Sequence, residues 1–236
     1  MLWGGLVNVS RSFAREVITL LTPSRIPELA SEAEAEAVQK ELIYRHIAYC
    51  NALRLSLRHQ QSWDELAPFL PVDELGELES YVSKPTQLNR RQADRLTALV
   101  GTNTAQQVVL MQFDSTLNQL YDLQGGCERI KITAFPDEVR FVSRALVWLI
   151  ALGIPIAFFT PAQNEVTVLE VVAVIIIVLS FMVVEQLSAA LKNPFENAPN
   201  DTPMTALCRT IEIDLRQQLD ETDPPPPIKP KNGVLM

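Results

Sequence analysis

Two long apolar runs lie close together between Val142 and Gln186, and they restrict the possible folds more than anything else in the chain. The first reads VSRALVWLIALGIPIAFFT, the second VTVLEVVAVIIIVLSFMVVEQ, and PAQNE separates them. Each run is about 19 residues, enough for a helix to cross a hydrocarbon core of roughly 30 Å. Glu170 is a charge inside the second run, and a carboxylate at mid-bilayer costs on the order of 3 kcal/mol. The Val, Ile, Leu and Phe residues of 171–184 each return about 0.3–0.6 kcal/mol on insertion, so insertion wins. Runs this long and this apolar are rare in soluble cores, and neither has the layout of a cleaved leader. The reading is a transmembrane helical hairpin over residues 142–187.

The flanks orient the hairpin. Arg129, Lys131, Arg140 and Arg144 stand at its N-terminal side and Lys192 follows it, whereas the connecting loop holds Glu165 and no Lys or Arg. The excess of positive charge places both flanking parts in the cytoplasm. The expected organisation is a cytosolic helical region over 1–141, the hairpin, and a cytosolic helix with a Pro-rich tail over 188–236.

Outside the hairpin the periodicity is helical throughout, so the class is all-α. Leu6, Ser10, Phe13, Val17 and Leu20 trace one stripe of a first helix, with Arg11, Arg15 and Glu16 off it. Ser31-Glu32-Ala33-Glu34 is a capping box opening a helix to about Gln60, with Ala37, Tyr44, Ile47, Asn51 and Leu55 on one face. A short acidic helix follows from Asp73 to about Tyr81. The next runs from Thr86 to Val100, closed by Gly101. Another spans Ala105 to about Leu123, with Val109, Phe113, Leu117, Leu120 and Leu123 on one stripe, and Gly125-Gly126 is expected to break it. Beyond the hairpin, Met204 to Leu219 forms a helix with Leu207, Ile211 and Leu215 aligned. The tail from Asp223 to Pro230 favours extended polyproline II.

Several chemistries are excluded by what is missing. The net charge of −8 and the lack of a basic stripe argue against nucleic acid. Cys50, Cys127 and Cys208 are far apart and read as reduced thiols. His46 and His59, the only histidines, are not in metal-ligand spacing and read as ordinary helix residues; no Gly-rich nucleotide motif is present. Glu212 and Asp214 fall two apart on a helix and do not face each other, which leaves no basis for an enzyme or a cofactor.

Certain stretches carry a resemblance. They are Leu2-Trp3-Gly4-Gly5-Leu6-Val7-Asn8, Gln124-Gly125-Gly126-Cys127-Glu128-Arg129-Ile130-Lys131, Asn193-Pro194-Phe195 and Asn200-Asp201-Thr202-Pro203, the last running into Leu207-Cys208-Arg209. Together they resemble the bacterial branch of the bestrophin ion channels. The resemblance implies a homopentamer with one axial pore, crossing a lipid bilayer in the cell membrane and passing small inorganic ions, chloride above all. It places Ile130 at a cytosolic aperture, flanked by Glu128 and Arg129. A ring of Ile side chains gates by dewetting while nearby charges set ion preference. The family's first membrane helix and neck helix are expected from codons upstream of Met1. Glu196 and Asp201 are all that remains of an acidic cluster that binds Ca²⁺ elsewhere in the family, so no tight Ca²⁺ clasp and no metal is expected. The alternative function is a membrane-anchored helical scaffold that binds a partner without conducting.

Overall fold

In the computed structural model the described residues are 2–101, 103–133, 137–158, 168–190, 195–196, 201–230 and 235. They contain helices and no strand. The helices are α1 (Leu2–Leu20), α2 (Glu32–Leu57), α3 (Val72–Glu79), α4 (Lys84–Leu99), α5 (Thr104–Ile132), α6 (Asp137–Phe158), α7 (Val168–Ala190) and α8 (Met204–Gln218). A 3-10 turn, Trp63–Leu66, precedes α3. The chain forms two compact units, one of residues 1–132 with 195–236 and the other of residues 133–194.

The first unit is built around α2, which packs against α1, α4, α5 and α8. A helix at the centre of a bundle has no solvent face, and α2 is buried on almost every side from Leu42 to Leu55. For that reason the single face read from the sequence does not hold. Ala37 is exposed and Tyr44 and Asn51 are half-buried, while Ala35, Val38, Leu42 and Ile43 enter the core. The start of α2 is as expected, with Ser31 Oγ accepting from the Glu34 N–H at 3.2 Å. Glu34 returns a bond to the Ala30 N–H at 2.9 Å rather than to Ser31.

The expected break at Gly125-Gly126 is absent, and α5 continues to Ile132. Gly126 serves close packing between helices instead. A Cβ on Gly126 would lie 3.1 Å from the Leu2 methyls, and one on Gly5 would lie 2.9 Å from Leu123 Cδ2. One glycine of each pair, Gly5 on α1 and Gly126 on α5, thus lets the two helices approach, and the packing offsets the cost of glycine in a helix interior. Gly101 likewise makes room, since a Cβ there would meet the Glu28 carboxylate and Gln106 Oε1 at 2.5 Å.

Glu16 also departs from the sequence reading. It lies in the core at 4% exposure, accepting from Gln112 Nε2 at 2.9 Å and Thr116 Oγ1 at 2.8 Å on α5. Those donors stand in for the water the carboxylate gives up.

The second unit is the pair α6 and α7, which pack on each other. Counted over the described residues, no helix is long and apolar enough to cross a membrane. The crossing read from hydropathy drew on the full runs, whereas the connecting loop with Glu165 and the side chain of Glu170 fall outside what is described. What the pair does display is apolar surface. Trp148 and Leu149 are each 67% exposed, Val168 79% and Leu169 78%, and Ile175, Ile176, Val183 and Val184 are exposed with them.

Candidate pore aperture

The last turns of α5 carry the residues singled out by the sequence. Cys127 packs into the core, and burial, reinforced by Glu128, pushes its thiol up to about 11. Ile130 is 44% exposed and Ile132, one turn-edge further, is 79% exposed. Arg129 is exposed beside them. An Ile turned half to solvent at a helix end is not held as a core residue would be.

Glu128 is held in place. Gln124 Nε2 donates to Glu128 Oε1 at 2.7 Å and to Thr86 Oγ1 at 2.9 Å, so α4 orients a charge on α5. Thr86 is tied in turn to Ser83 at 2.7 Å. Lys131 reaches Glu196 at 3.8 Å, which couples α5 to the segment after the hairpin. Thr86 and Gln124 are the members of this group to which the sequence reading assigned no role of their own. The glutamine spacing to Glu128, four residues on a helix, was the available signal.

The structure brings Glu128, Arg129 and Ile130 onto one helix end, ties Glu196 to that end through Lys131, and commits Glu212, Asp214 and the histidines elsewhere. Glu196 pairs with Lys131, residues 197–200 lie outside the described set, and among the described residues no cluster of metal-ligating side chains occurs. Glu212 and Asp214 are committed to ion pairs. Glu212 binds Arg216 and Arg209, each at 3.2 Å, and Asp214 binds Arg11 at 2.6 Å. Of the histidines, His46 sits wholly in the core, where burial lowers its pKa to about 3. His59 lies outside the helix in which it was expected, in the left-handed conformation at φ 53°. The three cysteines are free thiols in buried positions.

These features sit on a fold with relatives. A family model described as bacterial/fungal bestrophin protein matches residues 1–217, and the chain belongs to that family. It is similar to the voltage-dependent anion channel-forming protein YneE of Escherichia coli K12, with 29% identity over 229 residues, covering 97% of this chain and 70% of that protein. A second protein of that description, mll4386 of Mesorhizobium japonicum, is 27% identical over 224 residues, 94% of this chain and 67% of the relative. The fold matches a crystal structure of a bacterial bestrophin homolog from Klebsiella pneumoniae at a TM-score of 0.76 and 20% identity, covering 94% of this chain and 77% of that one. Those curated relatives are named as channel-forming proteins, not as enzymes.

Proposed function

We propose that this chain is the subunit of a bestrophin-type channel that conducts small inorganic anions through a membrane. The observation that carries the reading is the exposed apolar surface of α6 and α7 in a chain of this family. Trp148, Leu149, Leu152, Ile175, Ile176 and Val183 need a lipid or protein environment that a single chain does not supply. Two helices enclose no lumen, so conduction requires assembly around a shared axis, and the family resemblance makes the assembly a homopentamer. α6 and α7 lie in the bilayer as a multi-pass hairpin, with the helical bundle and the C-terminal part on the cytoplasmic side. The C-terminal end of α5 forms the aperture, with Ile130 as its apolar ring and Glu128 and Arg129 as the flanking charges.

The test is Ile130→Ala in purified protein reconstituted into liposomes, with flux and thermal stability read on the same variant. Widening an apolar ring raises flux or changes selectivity with little loss of stability. Truncating a packed Ile costs about 2–5 kcal/mol and leaves conduction unchanged. The second result would remove Ile130 from the pore.

A further inference from the structure

The exposed faces of α1 and α5 carry charge of opposite sign. From Thr104 to Cys127 the charged residues of α5 are Asp114 and Asp122, both exposed and eight residues apart on one face. Neither forms an ion pair among the described residues, and Asp114 accepts a bond only from Asn118, at 3.1 Å. They border an open groove of about 640 Å³ between α4 and α5, lined also by Leu110, Met111, Leu96 and Phe113. Met111 at its edge is 71% exposed. An exposed methionine and two uncompensated carboxylates along an apolar groove are an unfinished surface.

The exposed charges of α1 are Arg11 and Arg15, since Glu16 points into the core. With Ser12 and Gln218 of α8 they line a second hollow of about 360 Å³. Arg11 is anchored by Asp214, but Arg15 is 66% exposed and its carboxylate neighbour among the described residues, Glu16, is 3.7 Å away. The acidic groove opens on the α4 flank of α5 and the basic hollow on the α8 flank of α1. A molecule with two unlike, complementary surfaces associates head to tail, the arrangement that closes into a ring.

We infer that the α4–α5 groove of one copy receives the α1–α8 face of the next, with Asp114 and Asp122 opposite Arg15. This rests on the homo-oligomeric channel reading and locates its subunit contact. The apolar floor of the groove supplies contact area, while the charges select partner and orientation. A path for ions is the other use of an acidic helix face, but the exposed Met111 and the apolar lining favour a protein neighbour over water.

The experiment uses the purified chain in detergent, with mass read by light scattering and flux read after reconstitution. Asp114→Lys with Asp122→Lys, and separately Arg15→Glu, are expected to weaken association at least about tenfold, because each sets like charges against each other. Combining all three restores association. An Arg15→Cys and Asp122→Cys pair is expected to give disulfide-linked oligomers on mild oxidation, with the native thiols silent because they are buried. Reversals that assemble like the parent, or a combination no better than its parts, would overturn the inference. Intact oligomers with altered ion selectivity would also overturn it, assigning the α5 face to the ion path and leaving the channel reading in place. A parent that is monomeric yet folded would remove the oligomeric reading itself.

Discussion

Ser10 Oγ on α1 and His46 Nε2 on α2 meet at 2.8 Å in fully buried surroundings. Ser10 donates its own proton to the Leu6 carbonyl at 2.7 Å, which makes His46 Nε2–H the donor and sets the Nε2-protonated tautomer of the neutral ring. Phe13 stacks on the ring with centroids 4.8 Å apart, and Cys50 Sγ lies 3.7 Å from Nε2. These contacts join the first helix to the centre of the bundle, and none of them offers a charge to an imidazolium.

A pH dependence follows from the His46 site. In the unfolded chain a histidine titrates near 6.5, whereas burial lowers His46 to about 3 in the fold. The unfolded state therefore binds a proton that the folded state refuses between those values. The stabilisation is complete above pH 6.5 and is lost progressively as pH falls towards 3, with a slope of at most about 1.4 kcal/mol per unit. His46→Gln removes this component, so denaturant titrations from pH 7 to 4 should show a shallower fall for the variant. Parallel curves would show that His46 does not titrate in this way.

Two helix ends are strained in a way that glycine would relieve. After α2 the His59 N–H bonds to the Ser56 carbonyl at 3.1 Å and the Gln60 N–H to that of Leu55 at 2.9 Å; after α8 the Asp220 and Glu221 N–H groups repeat the pattern to Gln217 and Arg216. Both pivots are left-handed, at φ 53° for His59 and 58° for Asp220. A glycine takes that conformation without the steric cost but loses more backbone freedom on folding. His59→Gly is expected to stabilise the protein by about 0.5–1 kcal/mol in urea unfolding. A loss of stability would mean that the His59 side chain supports the turn.

The glycines on α1 and α5 should separate by substitution. Gly125 has nothing within 4 Å of a built Cβ, so Gly125→Ala should gain about 1 kcal/mol from helix propensity. At Gly5 the same change drives a methyl to within 2.9 Å of Leu123 Cδ2, and the gain should vanish or reverse. Thermal melts of the two variants side by side decide this. Equal gains would show that the α1–α5 crossing does not need bare backbone.

Much of the bundle was legible from local pattern. Helix α1 stops at Leu20, ahead of Pro23, and α8 runs from Met204 to Gln218, close to the span read from Leu207, Ile211 and Leu215. Local rules failed where tertiary contact decided the outcome. Gly125-Gly126 reads as a stop because glycine is a poor helix former, yet Leu2 packing against Gly126 carries α5 onward. Glu16 reads as surface until Gln112 and Thr116, about a hundred residues away, supply its hydrogen bonds. In the candidate aperture Glu128, Arg129 and Ile130 came from motif resemblance. The Thr86–Gln124–Glu128 chain did not, because it joins two helices whose packing no local pattern encodes.

The most direct test of the channel reading is current across a planar bilayer containing the purified protein under a chloride gradient. An anion channel of this kind gives discrete current steps that reverse near the chloride equilibrium potential and change in amplitude or selectivity in Ile130→Ala. Protein that inserts with its helix content intact, yet passes no current above the bare bilayer, would contradict that reading.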